Sequence, residues 1–231
     1  MGAENKGYII KRGLIVSCQA LEDEPLHGFG MMARMALAAQ MGGAVGLRVN
    51  GVSDVVETKK LCHLPIIGII KANYDGYDVY ITPTMKEVDD LIAVNPDVIA
   101  VDATMRPRPG FERPEQFISA IKEKYNITLM ADISNYEEGI AAYNAGADIV
   151  ATTLSSYTPY TIQRERPDID LIKRLADKVD IPVIAEGNIW TPEQAVECLR
   201  AGAYAVVVGG AITRPQLITQ RFVEIISSVL V

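Results

Sequence analysis

Short runs of consecutive apolar residues alternate along the chain with longer stretches whose apolar residues recur at helical spacing. The runs are Leu14–Gln19, Ala44–Val49, Ile66–Lys71, Val98–Asp102, Thr128–Asp132, Asp148–Thr153, Pro182–Glu186 and Ala205–Gly209. Most are apolar at successive positions rather than at every second one, as strands buried on both faces require. The stretches between them begin with helix-start chemistry. Thr84-Met-Lys-Glu87, Ser134-Asn-Tyr-Glu137 and Thr191-Pro-Glu-Gln194 read as capping boxes, the last with proline at the first helical position. Gly146 and Gly202 each lie in an Ala-Gly-Ala that ends a helix just before the next strand.

Eight strand–helix units predict an α/β fold, a (β/α)8 TIM barrel. It is read as a single domain over residues 1–231, with residues 1–12 as an N-terminal extension or short helix. Weak internal repetition agrees: Leu64-Pro-Ile-Ile-Gly-Ile-Ile-Lys71 is similar to Ile181-Pro-Val-Ile-Ala-Glu-Gly187, and Ala145-Gly-Ala-Asp-Ile-Val150 to Ala201-Gly-Ala-Tyr-Ala-Val206. A doubly wound sheet is the alternative, but it usually carries a glycine-rich turn after its first strand. Gln19-Ala-Leu-Glu-Asp-Glu24 has no glycine.

Composition narrows the class. The 231 residues are 49% hydrophobic and 22% charged, which is globular. No unbroken apolar stretch reaches the ~18 residues of a spanning helix. With 22 Lys+Arg against 29 Asp+Glu the net charge is −7, so nucleic acid and anionic membrane are not expected partners. An anion must then be held by a few placed donors. Cys18, Cys62 and Cys198 are far apart, form no CxxC and each lie in or beside an apolar segment, so they read as buried free thiols of a reducing compartment. Residues 1–12 lack the apolar core of a signal peptide, and the expected location is cytoplasmic.

The strand runs end at Gln19, Arg48, Lys71, Asp102, Asp132, Thr153, Glu186 and Gly209, and all but the last are polar. In a barrel these ends converge on one mouth, where barrel enzymes place their chemistry. Carboxylates, a lysine and an arginine meeting there would cost stability unless paired and used. Glu186-Gly-Asn-Ile189 follows the seventh strand and Gly209-Gly-Ala-Ile-Thr-Arg214 the eighth. Those two loops of a barrel often bind phosphate. Backbone N–H groups of Gly187, Asn188, Gly210 and Ala211 are candidate donors there, with Arg214 as a charged fork.

A lysine at a strand end has two uses: a Schiff base with a carbonyl substrate, or general acid/base work beside a carbon acid. Both need the neutral amine, and Arg48 on the adjacent strand together with desolvation would favour it. No histidine-rich metal set can be assembled from His27, expected in a loop, and His63, expected at a helix end.

The chain resembles a known family in Gly13-Leu-Ile-Val-Ser-Cys-Gln-Ala-Leu21, Pro65-Ile-Ile-Gly-Ile-Ile-Lys71, Met130-Ala-Asp-Ile-Ser134, Thr152-Thr-Leu-Ser155 with Tyr157-Thr-Pro-Tyr160, Ile184-Ala-Glu-Gly187 and Val207-Val-Gly-Gly-Ala-Ile-Thr-Arg-Pro215. From about Gly13 to Phe222, in this order, these segments are similar to the bacterial N-acetylmannosamine-6-phosphate 2-epimerases. The resemblance implies a (β/α)8 barrel that interconverts N-acetylmannosamine 6-phosphate and N-acetylglucosamine 6-phosphate during sialic acid and amino-sugar breakdown, with no metal or nucleotide cofactor. It implies Lys71 as catalytic lysine and Glu186 as catalytic carboxylate, with Arg48 and Asp132 holding and polarising the substrate. Asp132 is expected to orient Lys71. Gln19 is implied as a ligand contact, and Arg214 with the glycine turns Gly187-Asn188 and Gly209-Gly210-Ala211 as the phosphate site. Asp102 and Thr153 complete the expected substrate-binding set. Two departures stand out: Asn188, where the family's pattern has a basic residue in many members, and Val49 in place of alanine.

Other residues have plainer readings. Met31, Met32, Met35 and Leu37 fit one buried helix face, and Trp190 fits a staple at a helix entry. Tyr157 and Tyr160 are read either as a lid or as part of a rigid turn around Pro159. The final apolar segment (Ile218, Phe222, Ile225, Ile226, Val229, Leu230) is expected to cover the barrel, with any excess packing on a second subunit. Two rival functions remain at this level: a Schiff-base lyase using Lys71, and a sugar-phosphate-binding regulator that has lost the chemistry.

Overall fold

All eight runs form strands, and the strands close in chain order into one parallel barrel in the computed structural model, which describes residues 7–230. The first half of the chain runs β1 Leu14–Cys18, α1 Met31–Met41, β2 Gly46–Asn50, α2 Val52–Leu61, β3 Ile66–Ile69, α3 Met85–Val94, β4 Val98–Asp102 and α4 Pro114–Lys124. The second half runs β5 Thr128–Asp132, α5 Tyr136–Asn144, β6 Ile149–Ala151, α6 Ile169–Ala176, β7 Val183–Glu186, α7 Pro192–Arg200, β8 Ala205–Val208, α8 Gly210–Thr213 and α9 Pro215–Ser227. Several strands are shorter than their apolar runs. Thr152 and Thr153 belong to a turn after β6, and Lys71 lies beyond β3. One residue set fills the barrel interior, including Ile15, Ile67, Val98, Met130, Ile184 and Val207. Another, including Val16, Leu47, Val101, Phe117 and Ile118, packs strands against helices. Strands lined on both sides have no polar face, hence the continuous runs.

Two of the three expected capping boxes form as read, at Thr84/Glu87 and Thr191/Gln194. The third is shifted by one residue: Asn135 caps α5 by accepting from the Glu138 N–H. Ser134 instead donates its hydroxyl to the Glu138 carboxylate at 2.7 Å. Gly146 (φ 96°) and Gly202 (φ 108°) do end α5 and α7, each in the left-handed region that glycine enters without a Cβ clash.

Residues 7–12 form no helix. They run along the bottom of the barrel, where Ile10 is buried with the interior set and Tyr8 meets Tyr204 edge-on at 5.3 Å. Residues 1–6 of the expected extension lie outside the described residues. On α1, Met32 is buried but Met31 is exposed, so the expected methionine face is incomplete. α9 has no buried residue and does not cover the barrel. Leu217 reaches the mouth and the Arg221 guanidinium lies 4.4 Å from the Trp190 ring centroid. Phe222, Val223, Ile225, Ile226, Val229 and Leu230 are exposed.

One insertion alters the mouth. The segment after Lys71 turns back through Tyr74–Tyr77 and places Tyr80–Thr82 between the ends of β3 and β4. Ile81 bridges Lys71, the Thr82 N–H donates to Ile70 O at 2.7 Å, and the Asp102 N–H donates to Ile81 O at 2.8 Å. Direct pairing of β3 with β4 stops at Gly68↔Ile99. Thr82 holds φ 45°, a costly conformation for a β-branched residue. Its hydroxyl accepts from the Ile70 N–H at 3.2 Å, and the side chain is buried.

Candidate active site

Above the apolar barrel interior, side chains from β2, β5, β7 and the turn after β6 form one buried polar hub. Arg48 (1% exposed) donates through one outer nitrogen to Asp132 Oδ2 at 2.5 Å. Its other outer nitrogen donates to Asp132 Oδ1 at 3.0 Å and to Glu186 Oε2 at 2.8 Å. Thr153 lies between the carboxylates, its Oγ1 2.6 Å from Asp132 Oδ1 and 3.2 Å from Glu186 Oε2. Burial alone would lower the Arg48 pKa, but the facing Asp132 and Glu186 carboxylates outweigh it and raise it above the usual arginine value. Burial also pushes the Glu186 carboxyl above its usual range, against the opposing pull of Arg48.

Over this hub opens a cavity of about 270 Å³, lined by Gln19, Arg48, Lys71, Thr153, Glu186, Gly187, Asn188, Gly209, Gly210 and Arg214 among others. Ten of the thirteen catalytic, substrate-binding and phosphate-binding residues expected from the sequence therefore line one cavity. Lys71 is held by its backbone N–H, which donates to Asn50 Oδ1 at 2.8 Å. Desolvation lowers its pKa to about 8, reinforced by the charges of Arg214 and Arg48. The lowered pKa raises the neutral fraction of the amine near neutral pH, and proton abstraction needs the neutral form. Gln19 turns its amide to Ser17 Oγ at 2.7 Å.

Three expectations need correction. Asp132 does not orient Lys71, because its hydrogen bonds go to Arg48 and Thr153. Asp102 does not line the cavity. Tyr80–Thr82 stands between β3 and β4 at that level, and the Asp102 carboxylate turns instead to Thr104 Oγ1 at 2.7 Å and to Arg106 at 2.7 Å. Ala211 also lies outside the lining, and packs with the apolar set behind β8.

The turns expected to take phosphate frame one end of the cavity. Gly187 (φ 105°) and Asn188 (φ 56°) both adopt left-handed backbone after β7. Gly209 presses against β1, where a Cβ would lie 3.3 Å from Ser17 Cβ. Asn188 accepts the Tyr157 hydroxyl at Oδ1, 3.0 Å away. Tyr157 thus closes over the mouth beside β7. Tyr160 instead donates to the buried Glu138 at 2.6 Å, anchoring the same loop. Trp190, immediately before the N-cap of α7, lines the mouth. Reading the sequence missed Tyr80, Ser17, Thr213 and Leu217 among the lining, and Glu24, which pairs with Arg214. Tyr80 carries no motif; only the turn-back of the chain after β3 brings it in.

A family model described as "Putative N-acetylmannosamine-6-phosphate epimerase" matches residues 32–228. The chain belongs to that family. Curated relatives agree over nearly the whole length. A putative N-acetylmannosamine-6-phosphate 2-epimerase of Caldanaerobacter subterraneus subsp. tengcongensis is 57% identical over 218 residues, covering 94% of this chain and 92% of the relative. Its counterpart in Enterobacter sp. (strain 638) is 51% identical over 223 residues, covering 95% of each. The solved structure of the Clostridium perfringens N-acetylmannosamine-6-phosphate 2-epimerase superposes with a TM-score of 0.90 at 54% identity, covering 94% of both chains. A thiamine phosphate pyrophosphorylase from Pyrococcus furiosus shares the fold alone, with a TM-score of 0.59 and 20% identity over 96% of this chain and 98% of its own.

Proposed function

We propose that this epimerase-family chain interconverts N-acetylmannosamine 6-phosphate and N-acetylglucosamine 6-phosphate by removing and returning the proton at C2, in sialic acid and amino-sugar breakdown. The observation that carries the reading is Lys71: an amine with its pKa lowered to about 8, in a cavity shared with Glu186 and Arg214. C2 of the open-chain sugar is next to the aldehyde, so loss of its proton gives an enolate. Lys71 moves that proton. Glu186, whose carboxyl is raised by burial, handles hydroxyl and ring-oxygen protons. Arg48 acts by its charge and by fixing Glu186, since both of its outer nitrogens already donate to carboxylates.

The phosphate is assigned to the Gly187-Asn188 and Gly209-Gly210 turns with Arg214. Glycine backbone lets N–H groups approach the oxygens and arginine supplies charged hydrogen bonds. Gln19 is assigned to the sugar. The exposed apolar face of α9 supports a homodimer. The three buried free thiols support a cytoplasmic location.

Incubation with N-acetylmannosamine 6-phosphate in heavy water, followed by proton NMR, tests the reading. The expected product is N-acetylglucosamine 6-phosphate carrying deuterium at C2 with its carbon skeleton intact. Cleavage of the carbon skeleton, or inactivation by borohydride only in the presence of substrate, would point to Schiff-base chemistry instead. Binding without turnover would leave a sugar-phosphate regulator.

A further inference from the structure

Arg48 brings charge to the cavity, but both of its outer nitrogens are directed at carboxylates and its Nε is buried without a partner. Charge alone is not all that an enolate oxygen uses: a hydrogen-bond donor already in place stabilises it further. Neighbouring donors are engaged. Thr153 donates to the carboxylates, Gln19 turns its amide to Ser17, and Arg214 is held by Glu24. Ser17 and Trp190 stand against the turn after β8, Ser17 beside Gly209 and Trp190 beside Gly210. Tyr80 is placed differently. Its ring centroid is 5.9 Å from Lys71 Nζ, and among the described residues its hydroxyl makes no hydrogen bond.

Packing does not account for that hydroxyl. The ring packs against the barrel-interior set that includes Ile67 and Ile81, a role phenylalanine would fill as well. The phenol oxygen is not sealed away with the buried unpaired atoms such as Arg48 Nε, so it opens on the cavity that the residue lines. A tyrosine hydroxyl in a largely buried setting normally has a partner, and here the open cavity is where one can sit. Burial, and then the charges of Asp102 and Asp132, push its pKa up to about 12 against the pull of Arg106 and Arg48, so it keeps the hydrogen a donor needs. The backbone holds the ring in place. The Ala72 N–H donates to Tyr80 O at 3.0 Å, and Thr82, two residues on, keeps its left-handed φ of 45°. Strain of this kind persists only where the surrounding structure fixes it, and it collects at functional sites.

We propose that Tyr80 is a catalytic residue that donates its phenolic hydrogen to the substrate's C1 oxygen as negative charge develops there. This rests on the epimerase reading of the same site. When the C2 proton passes to the neutral Lys71 amine, the C–H electron pair becomes the C1–C2 double bond and the carbonyl pair moves onto the C1 oxygen. The phenol keeps its own O–H bond, and its hydrogen bond strengthens as the charge grows. Return of a proton to C2 reverses the electron flow and restores the carbonyl. The spacing of Lys71 and Tyr80 suits this division. It admits a substrate carbon about 3–3.5 Å from the amine on one side, with the neighbouring carbonyl oxygen about 2.7 Å from the phenol on the other.

Tyr80→Phe keeps the ring and removes the donor. Turnover of N-acetylmannosamine 6-phosphate is measured beside thermal melting and the kinetic isotope effect of substrate carrying deuterium at C2. In this variant kcat should fall on the order of 10²-fold, the effect of removing one oxyanion donor, with KM and melting temperature near the parent values. The isotope effect on kcat should be as large as in the parent or larger, because cleavage of the C2–H bond is the step that has lost stabilisation. Parental kcat overturns the inference. So does a raised KM with kcat intact, which would make Tyr80 a binding contact, or a fall in kcat with a smaller isotope effect, which would place the loss in another step. Should the phenylalanine variant fail to melt as a folded protein, Tyr80→Met removes the same hydroxyl and gives the same readouts. An inactive parent refutes the proposed function and this inference together, whereas an active parent with undiminished turnover in Tyr80→Phe overturns this inference alone.

Discussion

Arg214 and Glu24 meet as a two-pronged ion pair at the cavity rim, Nε to Oε1 at 2.6 Å and an outer nitrogen to Oε2 at 2.9 Å. Gln216 also donates to Glu24 at 2.9 Å, and the Leu21 N–H at 2.8 Å, so the carboxylate is fixed and fixes the guanidinium in turn. Arg214→Ala should raise KM for the phosphorylated sugar by roughly 10- to 100-fold, since a charged hydrogen bond contributes about 1.5–3 kcal/mol. Glu24→Ala should raise it less, because the cation remains but is no longer aimed. Steady-state kinetics on both variants check this; equal KM in Arg214→Ala and the parent would remove phosphate from this end of the cavity.

Lys71→Ala should lower kcat by at least ~10²-fold, the effect of losing a general acid/base, without unfolding the barrel. Ile66, Ile67 and Ile69, buried in the same segment, supply its packing. The folded pKa of about 8 lies below the free value of 10.5, so the charged amine destabilises the fold. The alanine variant should therefore melt higher than the parent below about pH 8, with the gain disappearing as pH rises through 10.5. Thermal melts across pH, beside turnover, test both halves.

The same shift sets the pH dependence of the parent. A base must be neutral, so the rate should rise as pH climbs toward about 8 and the amine loses its proton. A rate that falls over this interval would show that Lys71 is needed in its charged form.

Glu186→Gln should retain fold and substrate affinity but lose turnover. Glutamine keeps the reach of the side chain and can still accept from Arg48 at the 2.8 Å position, yet it cannot carry the proton. Calorimetric binding combined with kcat separates this from a merely structural role.

Arg48→Met should destabilise the barrel strongly, by about 3–5 kcal/mol at neutral pH, because it leaves buried carboxylates without their cation. Burial already raises the Glu186 carboxyl, and without the pull of Arg48 it rises further, so the loss should shrink as pH is lowered and Glu186 protonates. Denaturant melts at neutral and acidic pH measure it.

Replacing Phe222 and Ile225 together by glutamate should abolish the proposed dimer, since both side chains are exposed on α9. Sedimentation of parent and double variant decides the matter; a monomeric parent would leave the apolar face without a second copy.

Much of the frame was legible in the chain itself. Uninterrupted apolar runs occur only where a strand is buried on both faces, and eight of them separated by capped helical stretches admit few arrangements besides a closed barrel. Closure brings the strand ends to one mouth, so the sequence alone places Arg48, Lys71, Asp132 and Glu186 together. Strand spacing specifies such convergence because the backbone enforces it.

What the sequence could not determine depends on where loops and side chains turn once the barrel has closed. The turn-back that places Tyr80–Thr82 beside Lys71 diverts Asp102 toward Arg106, and a hairpin inserted between two strands leaves no periodic trace. Asp132 had two cations within plausible reach, and only packing decided that Arg48 takes it and Lys71 does not. The pairing of Arg214 with Glu24 joins positions 190 residues apart. Periodicity and capping are local, carried by neighbouring residues. Ion pairing in the mouth is a competition among distant groups, and only their three-dimensional placement resolves it.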